Sequence, residues 1–195
     1  MRNKKLDIIS FMVALLLTTL TTGAYATGSF SIIYGEKSLE KDDWKPVESQ
    51  TGFGFVGEYQ KPNWPVALVA TYFRSEEAAT RTLLSTDIKI TGETTELGFG
   101  IRKYLIENRL RFFVEGGLLS ISAKIKAEAL GVSVSESDSG IGYWFGAGAD
   151  VMVNDTLSVG LFARKSDASV TLGGVNGQAG GTHVGISAAY HFDIN

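Results

Sequence analysis

Cysteine is absent from this chain of 195 residues, so disulfides add nothing to its stability, which must come from packing and hydrogen bonding. Histidine is almost absent: there are only His183 and His191. No grouping of histidine and carboxylates has metal-ligand spacing, and neither a metal nor another cofactor is expected. The net charge is −3 and no basic patch exists, which excludes nucleic acid as a partner. Proline is scarce, with three residues against twenty-three glycines set among aromatics. That balance argues for strands over helices or disorder. Beyond the first 26 residues, no apolar run is long enough to cross a membrane as a helix.

Those first residues read as a targeting segment. Arg2, Lys4 and Lys5 give a basic start, and an apolar run from Ile8 to Leu20 follows, broken only by Ser10, Thr18 and Thr19. Ala24-Tyr25-Ala26 then offers the small-x-small pattern of a signal peptidase site. The run falls short of the roughly 20 residues that a spanning helix needs. The expectation is a cleaved signal peptide over residues 1–26 and one domain over 27–195.

Periodicity decides the class. Phe53, Phe55 and Tyr59 share one face, with Gly54, Val56 and Glu58 on the other. Leu97, Phe99 and Ile101 alternate with Glu96, Gly98, Gly100 and Arg102. Tyr143, Phe145 and Val151 alternate with Trp144, Gly146, Gly148 and Asp150. Leu157, Val159 and Leu161 alternate with Gly160, Phe162 and Arg164; Val184, Ile186, Tyr190 and Phe192 alternate with His183, Gly185, Ser187 and His191. Period two marks a strand between two unlike environments. Eight strands are predicted, near 29–35, 51–60, 66–74, 86–104, 110–125, 139–153, 157–167 and 181–192. In the fifth, Leu119, Ile121 and Ala123 crowd onto the polar face, and a bulge is expected to shift the phase there.

Connection lengths alternate. Short ones fall at Lys61–Pro65, Leu105–Arg109 and Asn154–Thr156; long ones fall near 36–50, 75–85, 126–138 and 168–180. Short turns at one end and long loops at the other describe a transmembrane barrel with its turns in the periplasm. The interior of an eight-stranded barrel is only just wide enough for side chains. The face of glycine and charge fits that interior, so the aromatic face points outward, where hydrocarbon tolerates it. Tyr59, Trp64, Tyr104 and Tyr190 lie near short turns and are expected in an interfacial girdle. The predicted fold is all-β, an eight-stranded antiparallel up-and-down transmembrane β-barrel.

The segments Glu96-Leu-Gly-Phe-Gly-Ile-Arg102, Phe113-Val-Glu-Gly-Gly117, Gly146-Ala-Gly-Ala-Asp150, Asn154-Asp-Thr-Leu-Ser-Val-Gly160 and Ala188-Ala-Tyr-His-Phe192 carry a resemblance. They resemble the small outer-membrane β-barrel superfamily that includes the OmpA-like transmembrane domain. The resemblance implies location in the cell outer membrane of a Gram-negative bacterium, with outer-membrane lipids and lipopolysaccharide as surroundings. It also implies the barrel-assembly machinery as a partner, with Tyr190 and Phe192 as the aromatic signal on the last strand. Asp193, Ile194 and Asn195 follow that signal here. Wall anchoring through a further peptidoglycan-binding domain is not carried over.

Inward parity collects Glu58, Glu96, Arg102, Glu115, Asp150 and Arg164. Buried charges are costly unless paired, so a salt-bridge network filling the lumen is expected, against a small pore. Lipid A chemistry by an acyl-transfer pair is the enzymatic alternative. His183 and Ser187 share a face but stand about 13 Å apart, beyond hydrogen-bond reach, and Gly185 occupies the His-x-Ser position. No enzyme activity is expected. Gly52-Phe-Gly-Phe-Val-Gly57 has the spacing of a dinucleotide fingerprint but lies within a strand with no helix after it. Any binding belongs to the loops: Lys41 and Lys45 flank Trp44, a candidate anchor for a surface ligand. Gly131 to Ser139 and Leu172 to Thr182 read as polar or glycine-rich and mobile. Two functions follow: a structural, surface-exposed envelope protein, or a loop-borne adhesin.

Overall fold

The computed structural model describes residues 26–39, 44–83 and 86–194, apart from the side chain of Glu107. The signal-peptide expectation and Lys41 therefore lie outside the described residues. The elements, in chain order, are β1 (Ala26–Leu39), β2 (Ser49–Gln60), β3 (Ala67–Leu83), β4 (Thr86–Glu107) and β5 (Leu110–Ala129). They continue with β6 (Val132–Met152), β7 (Leu157–Asp167), β8 (Ser169–Leu172), β9 (Val175–Gln178) and β10 (Gly181–Ile194). Eight of them close a barrel in the order β1-β10-β7-β6-β5-β4-β3-β2, while β8 and β9 form a separate hairpin. Closure comes from antiparallel pairing of β1 with β10, from Ala26 opposite Ile194 to Leu39 opposite Gly181. No described helix could cross a membrane; strands do so here, and a closed ring leaves no backbone edge in hydrocarbon.

The outward face is greasy where the period-two reading places it. Phe53, Phe99, Tyr143 and Ile186 are each 42–56% exposed, on four different strands. Phe30, Phe55 and Tyr72 stack in a row across β1, β2 and β3. The inward face is fitted by size. Phe73 stands opposite Gly54, Phe113 opposite Gly148, Trp144 opposite Gly117 and Phe162 opposite Gly185. Arg164 stands opposite Gly146, and Asp150 opposite Gly160. A Cβ on Gly185 would sit 2.9 Å from the Phe162 ring, and one on Gly54 3.0 Å from the Phe73 ring. At Gly185 and Gly54 glycine is required both by that ring and by the adjacent strand's carbonyl, of Tyr34 and Tyr72 respectively, which lies closer still.

The structure corrects several expectations. β5 keeps its phase, with unbroken pairing to β6 from Leu110 to Ala129. Leu119, Ile121 and Ala123 point inward and are buried, packing under the cap beside the polar groups of the neighbouring strands. The one register shift between β4 and β5 falls at Tyr104/Ile106, in β4. Tyr104 faces inward rather than joining a girdle, and its hydroxyl donates to Glu58 at 3.0 Å. Tyr59 and Trp64 do meet edge to face outside the barrel, 6.3 Å apart.

The long connections are mostly strand. β3 and β4 stay paired to Leu83 opposite Thr86, and β5 and β6 to Ala129 opposite Val132. Residues 75–83, 126–129 and 132–138 are therefore ladder, and the mobility expected for 131–139 gives way to pairing from Val132 onward. β2 ends its pairing with β3 at Thr51 opposite Glu76, and β7 ends with β6 at Asp167 opposite Tyr143. The upper parts of β3, β4, β5 and β6 so rise past the closed barrel as a protruding sheet. Over the mouth lies the β8–β9 hairpin, in a stretch read as mobile.

Candidate functional site

The cap is built around Trp44. Its ring is 2% exposed and its Nε1 donates to the Gln178 carbonyl at 2.7 Å. Val47, Leu39, Leu119, Ile121, Val170 and Ala179 are buried in the same region. Trp44 is thus a buried cap residue rather than an exposed anchor, a correction that follows from its apolar ring: water expels it onto the barrel mouth. Lys45 beside it is exposed.

The lumen below holds the charges. Arg102 donates through Nε and Nη2 to Glu115 Oε2, at 3.0 and 2.7 Å, and through Nη1 to Glu58 at 2.9 Å. Arg164 reaches the other oxygen of Glu115 at 3.0 Å. Four of the six sequence candidates therefore form one chain, Glu58–Arg102–Glu115–Arg164. The guanidinium of Arg102 also lies 4.0 Å from the centre of the Phe113 ring, and that of Arg164 4.1 Å from Trp144. Side chains in this chain are 2–8% exposed.

The other two candidates belong elsewhere. Glu96 lies in a separate group near the cap, 2.8 Å from Lys37 and 3.3 Å from His183. Lys37 uses all three donors, on Glu96, on Thr94 at 3.0 Å and on the Ala179 carbonyl at 2.9 Å. Ser166 donates to Glu96 at 3.0 Å, and Ser75 to Gln50 at 2.8 Å. Asp150 sits toward the short-turn end with Arg111, at 3.3 Å. Lys37, Gln50 and Arg111 are the partners the sequence reading passed over.

A Ser–His contact is present, though not the one weighed from sequence. Ser158 Oγ is 2.8 Å from His191 Nε2, and Arg111 Nη2 is 3.2 Å from the same nitrogen. Arginine only donates, so it competes with the serine for that acceptor. The adjoining lumen cavity holds about 20 Å³, room for roughly one water. A substrate does not fit.

Outside, the protruding sheet carries a polar groove of about 290 Å³ lined by Arg74, Glu76, Lys89, Glu93, Lys124 and Lys126, among others. Arg74 pairs with Glu93 at 3.0 Å. Lower down, Tyr190 and Phe192 face outward near the end of β10 with rings 6.2 Å apart. Among the described residues no cluster of histidine and carboxylates could hold a metal.

A closed ring with hydrocarbon outside and charge inside has its counterpart among known proteins. The model of the outer membrane protein β-barrel domain matches residues 9–192. The chain belongs to this family. Its place is the cell outer membrane. Solved structures share the fold at low identity. Ail, the attachment invasion locus protein of Yersinia pestis, in complex with the heparin analogue sucrose octasulfate, is 18% identical with a TM-score of 0.60, over 86% of this chain and 99% of Ail. A major outer membrane protein from Thermus thermophilus is 12% identical with a TM-score of 0.57, over 86% and 99%. Neisserial surface protein A is 10% identical with a TM-score of 0.52, over 86% and 97%. No curated protein matches the chain.

Proposed function

We propose that this family member is a non-enzymatic, surface-exposed envelope protein whose barrel is a sealed anchor for the protruding sheet. The observation that carries the reading is the filling of the lumen. Its charges are paired, its aromatics are matched to glycines, and the space beside its ion pairs is about 20 Å³. Hydrated ions need a continuous water path, which such a filling denies. Purified protein in planar bilayers is therefore expected to give no large single-channel currents. Large, reproducible currents would show an open pore and defeat the proposal.

A second reading is attachment to another surface, favoured by the protruding sheet. A barrel needs only enough strand to cross, about 9–11 residues, yet β4, β5 and β6 run to 22, 20 and 21. The excess builds a platform outside the membrane. Ail, similar in fold, is named for attachment and invasion. Here the attachment surface is the sheet rather than the Trp44 segment, whose ring is engaged in the cap.

A further inference from the structure

The protruding sheet ends in leucine. β5 and β6 are joined through Leu130 and Gly131, with φ of +50° and +80°. Two successive left-handed residues make the type I′ turn, for which Asn-Gly or Asp-Gly is the favoured pair. A leucine there bears the steric cost of left-handed backbone and gains no packing, since it is 87% exposed. Leu83, the last residue of the neighbouring β3, is likewise 62% exposed. Val132 and Val134 beside the tip are 67% and 63% exposed. Nothing in folding requires these choices.

The two leucines stand at nearly the same height along their strands. Thr80, Lys89, Glu128 and Ser133 form one cross-strand row, with Leu83 three residues past it on β3 and Leu130 two past it on β5. Leu83 and Leu130 therefore lie within about one residue, roughly 3 Å, of each other along the strands. Some of the nearby polar groups are engaged within the sheet. Lys126 lies 2.6 Å from Glu128, and their hydrogen bond holds the Glu128 carboxyl below the usual carboxylate range. Thr82 donates to Asp87 at 2.6 Å. The protein's own bilayer is out of reach: Leu130 lies twelve residues beyond lipid-facing Leu118, about 40 Å along a strand.

We propose that this leucine tip docks into the surface of a facing lipid bilayer, with Leu130 and Leu83 among its acyl chains. A projecting end with exposed Leu83, Leu130, Val132 and Val134 suits a flat greasy phase, which needs no shaped pocket. A protein partner would be expected to match the strand edges or the charged groove instead. Each tip binds weakly, and many copies on one cell supply avidity. The inference rests on the attachment reading and names its partner as lipid.

The test uses cells displaying the full chain, fluorescent phosphatidylcholine vesicles and cultured animal cells. Leu130→Asn restores the favoured Asn-Gly turn, so the variant keeps its surface level and its heat-dependent gel shift. Its vesicle binding is expected to fall about tenfold, the loss of one buried leucine. Vesicle binding equal to the parent's overturns the proposal. Adhesion to animal cells that persists in Leu130→Asn, with no vesicle binding by either form, overturns the lipid partner and leaves attachment standing. Absence of both kinds of binding in the parent removes attachment as well.

Discussion

Glu115 divides its two oxygens between two guanidiniums, Arg102 on one and Arg164 on the other. Replacing it by alanine leaves Arg164 without a carboxylate and Arg102 with Glu58 alone, in a narrow, water-poor lumen. Such loss of one partner costs about 3–5 kcal/mol. Glu115→Ala should therefore lower the urea midpoint of the folded barrel strongly, whereas Lys61→Ala at an exposed turn should leave it in place. Equal midpoints would show that the ion pairs are not what fills the centre. At this scale parity alone exposed the six inward charges, because period two assigns each residue a side. Arg111 was within reach of the same rule, standing two residues before inward Phe113. Lys37 was not, since the alternation of its strand dissolves into the mixed charges after Glu36. Trp44 was misplaced because composition around it is that of a solvated loop, while its single indole is governed by burial.

At the scale of elements, the barrel mouth is closed by side chains from three places: Trp44 before β2, Leu119 and Ile121 on β5, and Val170 and Ala179 around the β8–β9 hairpin. The indole is buried and its N–H satisfied, so Trp44→Ala removes both packing and a hydrogen bond. A cost of about 3 kcal/mol is expected, read as a lowered urea midpoint and faster proteolysis at residues 168–180 under conditions that spare the parent. Unchanged protease resistance would mean that the hairpin holds its place without the cap. The strand count was legible because turn residues and alternation mark each lipid-crossing segment. The upward extensions were not, because Thr, Ser, Ala, Lys and Glu in residues 75–85 and 126–138 read as polar loop. Above the membrane both faces of a ladder meet water on at least one side, and the greasy alternation that identifies a crossing strand fades.

Across the whole molecule, the direction in which the two strand faces point decides the environment the protein can occupy. An apolar band outside and a fitted, charged filling inside make the same sequence insoluble in water and comfortable in a bilayer. The absence of cysteine allows this to be read directly, since a single introduced thiol takes a single spin label. Labels at Phe145→Cys, Leu161→Cys and Ile186→Cys, in protein reconstituted into vesicles, report collisions with oxygen dissolved in lipid and with a nickel chelate dissolved in water. The three sites are predicted to collide freely with oxygen and hardly at all with the chelate. Labels that are immobile and shielded from both reagents, as in the core of a water-soluble barrel, would contradict the account.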